Sequence, residues 1–188
     1  MTGSSTGSAA PRAVAVIGPS GSGKTSLLAA LVPVLGRRGL RIATLKHDAH
    51  EFEFDHPGKD SHRLFEAGAV ASGVASRSRF AFQRRLDAEA KPEELIRRHF
   101  DAAEVDVVLV EGWRECSLPK IEVWRDGVGD VPLRAPSDAS VVAFVSTSAR
   151  RPEGVRCPVY APEDVSGVAD FIERAVLGRG RSPRRDVS

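Results

Sequence analysis

No run of about 18 apolar residues occurs anywhere in the chain, so nothing in it reads as a membrane-spanning helix. The opening stretch, MTGSSTGSAAPR, lacks the apolar core of a signal peptide and reads as a small, polar, disordered leader over residues 1–12. Cysteine is scarce. Cys116 and Cys157 stand far apart and form no CxxC pair, which points away from a disulfide framework and toward a reduced, cytoplasmic setting. An excess of one charge is lacking too: a net charge of +2 is too small to imply nucleic-acid or membrane binding by bulk electrostatics, and neither partner is expected. There is no internal repeat. What remains is a chain of 188 residues, 41% hydrophobic, long enough for one domain with a sizeable core. That domain is expected over residues 13–177, followed by a flexible basic tail, GRGRSPRRDVS, over 178–188.

Strand-like and helix-like segments alternate along the domain. Residues 13–17 (AVAVI) form an apolar run ended by Gly18. Across 24–37, Leu27, Leu28, Leu31, Val32 and Leu35 recur at helical spacing, with Pro33 inside the pattern. Further strands are expected at 41–45, 70–75, 79–83, 107–110, 120–125 and 141–145. Helices are expected after Pro57 and Gly58 as far as Gly68, over 92–103, and over 162–177. Residues 127–138, rich in Gly, Pro and Asp, read as a surface connection. Strand, loop and helix in repeated alternation predict an α/β fold: a mostly parallel sheet flanked by helices on both faces.

The stretch AVIGPSGSGKTSLL, residues 15–28, carries the strongest chemical signal. Gly18, Gly23, Lys24 and Thr25 fill the fixed positions of GxxxxGK[ST], the Walker A phosphate loop. Gly18, Gly21 and Gly23 permit a tight curl whose amides point inward at phosphate oxygens, and the helix starting near Lys24 adds its positive end. The nucleotide-binding segment is therefore Gly18, Pro19, Ser20, Gly21, Ser22, Gly23, Lys24, Thr25 and Ser26, with Lys24 expected to span the β- and γ-phosphates and Thr25 to ligate Mg2+. Magnesium also wants a carboxylate at the end of a neighbouring buried strand. In DVVLVEGW, residues 106–113, Glu111 closes four apolar residues and fits that role, whereas Asp106 opens the strand and points to the opposite end of the sheet. Asp48, Asp55 and Asp60 compete for a second acidic position, and Asp48, closest to its strand end, is the choice.

Between 46 and 69 the chain reads KHDAHEFEFDHPGKDSHRLFEAGA, with His47, His50, His56 and His62 among acidic residues. No pair has helical HxxxH spacing, and a solvated polar loop near the nucleotide is a better reading than a transition-metal site. Lys59, at a helix start after Gly58, is a further anion-gripping candidate, as is Arg63 one turn on. Arg77, Arg79 and Arg114 would form an anion-binding rim, although each taken alone is an ordinary surface charge. The base is poorly encoded. Guanine-specific switches carry [NT]KxD late in the sheet; VSTSAR, residues 145–150, stands near that place without an aspartate.

The Walker A loop, the stretch LKHDAHEFEFDHPGKDSHRLFEAGA, LVEGW and LPKIEVWR together resemble the molybdopterin-guanine dinucleotide biosynthesis protein B family, MobB, over residues 13–125. The resemblance implies a P-loop protein that binds GTP with Mg2+ and hydrolyses it slowly. It also implies an accessory role beside the guanylyltransferase MobA, which joins GMP to molybdopterin, and a homodimeric state. Molybdopterin itself is a further ligand to consider. The sequence departs from the family in reading HDAH after Lys46, where relatives often carry another histidine pair, and in having Trp113 where Phe is expected. Slow hydrolysis suits the residues, since no long lid insertion and no obvious water-orienting glutamine or aspartate is apparent. The alternatives are a small-molecule kinase or ATP-dependent ligase on the same loop and, more weakly, a metallochaperone GTPase. The strand at 79–83 alternates Phe80 and Phe82 with polar residues, as an edge open to pairing with a second copy would.

Overall fold

In the computed structural model, residues 10–48, 55–128, 134–147 and 151–179 are described. The leader over 1–9, His50, Glu51 and Glu53 of the charged loop, residues 148–150 of VSTSAR and the tail from 180 onward lie outside them. The chain separates into two compact units, Met1–His47 with Lys91–Ser188, and the insertion Asp48–Ala90, where the sequence reads as one domain.

The larger unit is built on a six-stranded sheet in the order β2-β5-β1-β6-β7-β8, every pairing parallel. Its strands are β1 Arg12–Ile17, β2 Ile42–Lys46, β5 Val107–Glu111, β6 Lys120–Trp124, β7 Val141–Ser146 and the two-residue β8 Val159–Tyr160. Alternation along β1 divides the core. Val14 and Val16 pack with Leu27, Leu31 and Leu35 of helix α1 (Lys24–Arg37) and with Val168 and Ile172 near the C-terminus. Ala13, Ala15 and Ile17 face the other side, with Ile96 of helix α3 (Pro92–His99). Helices thus cover both faces of a parallel sheet, as the alternating segments predict. Truncating a fully buried leucine such as Leu31 to alanine would cost about 3 kcal/mol.

Two expected helix boundaries differ, and one short strand is added. Helix α3 stops at His99, short of 103, because Phe100 turns extended and the Asp101 carboxylate takes the Ala103 N–H into a local turn. The last helix, α4 (Val165–Phe171), begins after Pro162, where Asp164 caps it by accepting from the Gly167 N–H at 2.9 Å, and it continues as a π-helix over Ile172–Val176. β8 is too short to show periodicity in the sequence. Two buried charges in β6 also go unsignalled. Glu122 accepts the backbone N–H groups of Arg134 and Ala135, and Lys120 bonds Ser140 and pairs with Asp138. They tie the connection after β6 to the sheet.

Within the smaller unit, helix α2 (Asp60–Glu66) precedes an antiparallel hairpin, β3 Ala71–Ala75 with β4 Phe80–Arg84. Arg85 closes it, donating to the Phe65 carbonyl at 2.9 Å and lying over the Phe65 ring. β4 is paired on one side by β3, and Phe80 and Phe82 are exposed.

Candidate phosphate site at the ends of the central strands

Because β2, β5 and β1 are adjacent and parallel, their final residues meet at one end of the sheet, where open α/β sheets bind ligands. The register sets Val16 of β1 and Lys46 of β2 on either side of Glu111 of β5. The ladder continues one step further, with the Gly112 N–H donating to the Val16 carbonyl and the His47 N–H to the Glu111 carbonyl. The glutamate and the residues that follow β5 and β2 are therefore fixed by sheet hydrogen bonds.

The loop leaves β1 at Gly18, whose φ of 144° and surroundings exclude any side chain: a Cβ there would meet the Val123 carbonyl oxygen at 2.2 Å. Gly21 and Gly23 also have positive φ. Helix α1 then starts with no side-chain cap and no acidic residue in its first turn, so no carboxylate competes for its leading N–H groups. Ser22 Oγ is buried without a hydrogen-bond partner, a polar atom left for something else to satisfy. Pro19 is buried, while Ser20 and Ser26 are exposed.

Lys24 folds back over the loop, its Nζ donating to the carbonyls of Pro19 at 2.7 Å and Gly18 at 3.1 Å. Its pKa lies below the ordinary lysine value, first through burial; Glu111 opposes the shift, and the positive charges of Arg114 and Lys46 add to it. Thr25 Oγ1 lies 2.9 Å from both carboxylate oxygens of Glu111, its single proton donated to one or shared. The structure thus brings together Lys24, Thr25 and Glu111, which the sequence had singled out, and adds Lys46, which it had not.

After Glu111 the backbone makes a forced turn. A Cβ on Gly112, at φ 94°, would meet the His47 Cβ at 2.9 Å. Trp113 is the one non-glycine residue at positive φ among those described, at 48°, with its ring stacked on His47 at 4.6 Å. For a bulky residue that conformation is costly, and turns of this kind cluster at functional sites. It delivers Arg114 to the neighbourhood of Lys24.

Asp48 and Lys59 fall in the smaller unit, Asp48 as its first residue and Lys59 as the N-cap of α2, both exposed. Arg77 and Arg79 are exposed in the turn between β3 and β4. Among the described residues, no three His, Cys, Asp or Glu side chains cluster to hold a metal.

A glycine-walled loop under an uncapped helix, a lysine folded across it and a threonine facing a strand-end glutamate thus converge at one end of the sheet. The family model for molybdopterin guanine dinucleotide synthesis protein B, MobB, matches residues 13–147. The chain belongs to the MobB family.

Among relatives, a molybdopterin-guanine dinucleotide biosynthesis adapter protein of Escherichia coli (strain K12) is 37% identical over 154 residues, covering 81% of this chain and 86% of the relative. A protein of the same name from Haemophilus influenzae is 34% identical over 160 residues, covering 84% and 85%. The crystal structure of Bacillus subtilis MobB superposes with a TM-score of 0.67 at 22% identity, over 89% of this chain and 99% of that one, a likeness of fold. No helix among the described residues is long and apolar enough to cross a membrane.

Proposed function

We propose that this MobB-family chain is a cytoplasmic, GTP-binding accessory protein of molybdenum cofactor biosynthesis. It assists a MobA-like guanylyltransferase in converting molybdopterin to its guanine dinucleotide form, and it works as a homodimer. The observation that carries the nucleotide part is the Thr25–Glu111 contact beside the loop. It joins two hard oxygen donors of the kind magnesium selects, next to an uncapped helix start and a buried hydroxyl without a partner. The adapter role is supported by family membership and by the names of the relatives.

Each residue then has a task. The loop amides and Ser22 bind phosphate oxygens. Lys24 exchanges its two carbonyl acceptors for the β- and γ-phosphates, and the anion offsets the burial that lowers its pKa. Thr25 and Glu111 would hold magnesium, which neutralises charge between the terminal phosphates when bound. Lys46 and Arg114 supply further positive charge for a triphosphate. Asp48 is a candidate for the second acidic position at the magnesium, and Lys59 for gripping a further anion. Hydrolysis is slow, about 10⁻³ per second or less, because this set stabilises the phosphates without a residue assigned to orient the attacking water.

The test is a guanylyl-transfer assay with molybdopterin, GTP and a MobA-like enzyme. Adding this chain should raise the yield of the guanine dinucleotide, and adding Lys24→Ala should not. No stimulation, or transfer of phosphate to a small acceptor by the chain alone, would replace the adapter with a kinase or ligase.

A further inference from the structure

A cavity of about 320 Å³ opens where β7 and β8 end, lined by Ser146, Thr147 and Tyr160 with Pro162 and Glu163. The phosphate site uses none of them. β7 and β8 run parallel to β1, and only β6 separates β1 from β7, so the cavity lies at the same end of the sheet as the phosphate loop. Two strand spacings are about 10 Å. A ribose holds a base at a comparable reach from its α-phosphate, so a nucleotide anchored at the loop and extended across β6 would bring its base to this cavity.

Two neighbouring acids follow β8, Glu163 and Asp164, and they are not equivalent. Asp164 is engaged in capping α4, with Oδ1 accepting from the Gly167 N–H at 2.9 Å. Glu163 lines the cavity, is exposed, and has no hydrogen-bonding or ionic partner among the described residues. An ionised carboxylate only accepts hydrogen bonds. Guanine presents two adjacent donors, N1–H and the N2 amino group, which a carboxylate takes together. Adenine presents an unprotonated N1 on the same edge, whose lone pair a carboxylate repels. In VSTSAR the loop after β7 has no aspartate to read guanine. The neighbouring loop after β8 offers a carboxylate instead.

We propose that Glu163 reads the guanine edge of the bound nucleotide in the cavity at the ends of β7 and β8. This rests on the guanine-nucleotide reading above and adds the residue that selects the base.

Isothermal titration of the full chain, Glu163→Ala and Glu163→Gln with the magnesium salts of GTP, ATP, ITP and XTP tests it. The wild type should prefer GTP over ATP, and over ITP, which lacks the N2 amino group, by about tenfold. Glu163→Ala should lose about tenfold in GTP affinity with ATP binding unchanged. Glu163→Gln should gain affinity for XTP, because its carboxamide N–H donates to the C2 carbonyl of xanthine. GTP affinity unchanged in both variants, ATP affinity falling in step with GTP, or no gain for XTP in Glu163→Gln would overturn the proposal. So would equal wild-type affinity for GTP and ATP, which leaves the phosphate site standing. A wild type that binds none of the four overturns the nucleotide reading itself.

Discussion

At the end of the sheet where the strands begin, Asp106 accepts from the Arg41 backbone N–H at 2.8 Å and from its Nε at 3.1 Å, with Arg179 at 3.3 Å on the other oxygen. At the end where they stop, Lys24 shares its surroundings with Arg114 and Lys46 against the one carboxylate of Glu111. Both groups have lowered pKa values, with opposite meaning. For Asp106, held at about 2 first by the Arg41 side chain, the shift says that the charge is welcome in the fold. For Lys24, shifted first by burial, it says that the charge is costly there. One end of the sheet closes its electrostatics internally and serves stability. The other leaves positive charge, a buried hydroxyl and uncapped amides, which the proposed nucleotide would complete.

The sharpest way to break that contrast is Lys24→Ala. Triphosphate binding should fall by at least about a hundredfold, near 3 kcal/mol, as a charge-assisted phosphate contact is lost. The melting temperature should not drop, since the lysine belongs to no apolar cluster. Titration calorimetry and a thermal melt decide it, and unfolding of the variant would place Lys24 among the stabilising residues.

Asp106→Asn is the opposite experiment. It should cost about 2 kcal/mol of stability at neutral pH and leave nucleotide binding alone. The folded-state value of about 2 lies below the unfolded 3.8, so this contribution is present above pH 4 and is lost as pH falls through 2. Urea titrations should show wild type and variant converging as the buffer is acidified through that window.

Glu111→Gln keeps the shape at the other end and removes the charge. Nucleotide affinity with magnesium should drop about tenfold, while affinity in EDTA changes little. Equal losses in both buffers would assign Glu111 to packing.

The smallest effect is alkaline. Because folding lowers the Lys24 pKa below 10.5, the unfolded chain binds the proton more tightly and stability should rise as pH climbs from the folded-state value toward 10.5. In Lys24→Met that rise should be absent; an identical rise in both proteins would show that Lys24 bears no such cost.

The two ends were not equally legible in the sequence. The phosphate loop and the span of α1 are local: glycines, Lys24 and an apolar 3.6-residue period fall within twenty positions. Glu111 was marked by the apolar run before it, as the end of a strand buried on both faces. The sequence marks Arg114 only as one of three arginines of an anion-binding rim and does not mark Lys46, because their place beside Lys24 depends on which strands are neighbours, a non-local fact. The Asp106 network is similar: the sequence gives the direction of the carboxylate but not its pairing with Arg41, 65 positions away. Glu122 hid in β6 because a charged residue in an alternating strand reads as facing solvent, while two backbone N–H groups satisfy it inside.

Calorimetric titration of magnesium-GTP into the wild-type chain tests the central claim most directly. The account predicts saturable binding at one site per chain, weakened as salt is raised, with the same titration of Asp106→Asn superimposable on it. No heat at about 1 mM GTP, or a loss of binding in Asp106→Asn equal to that in Lys24→Ala, would contradict it.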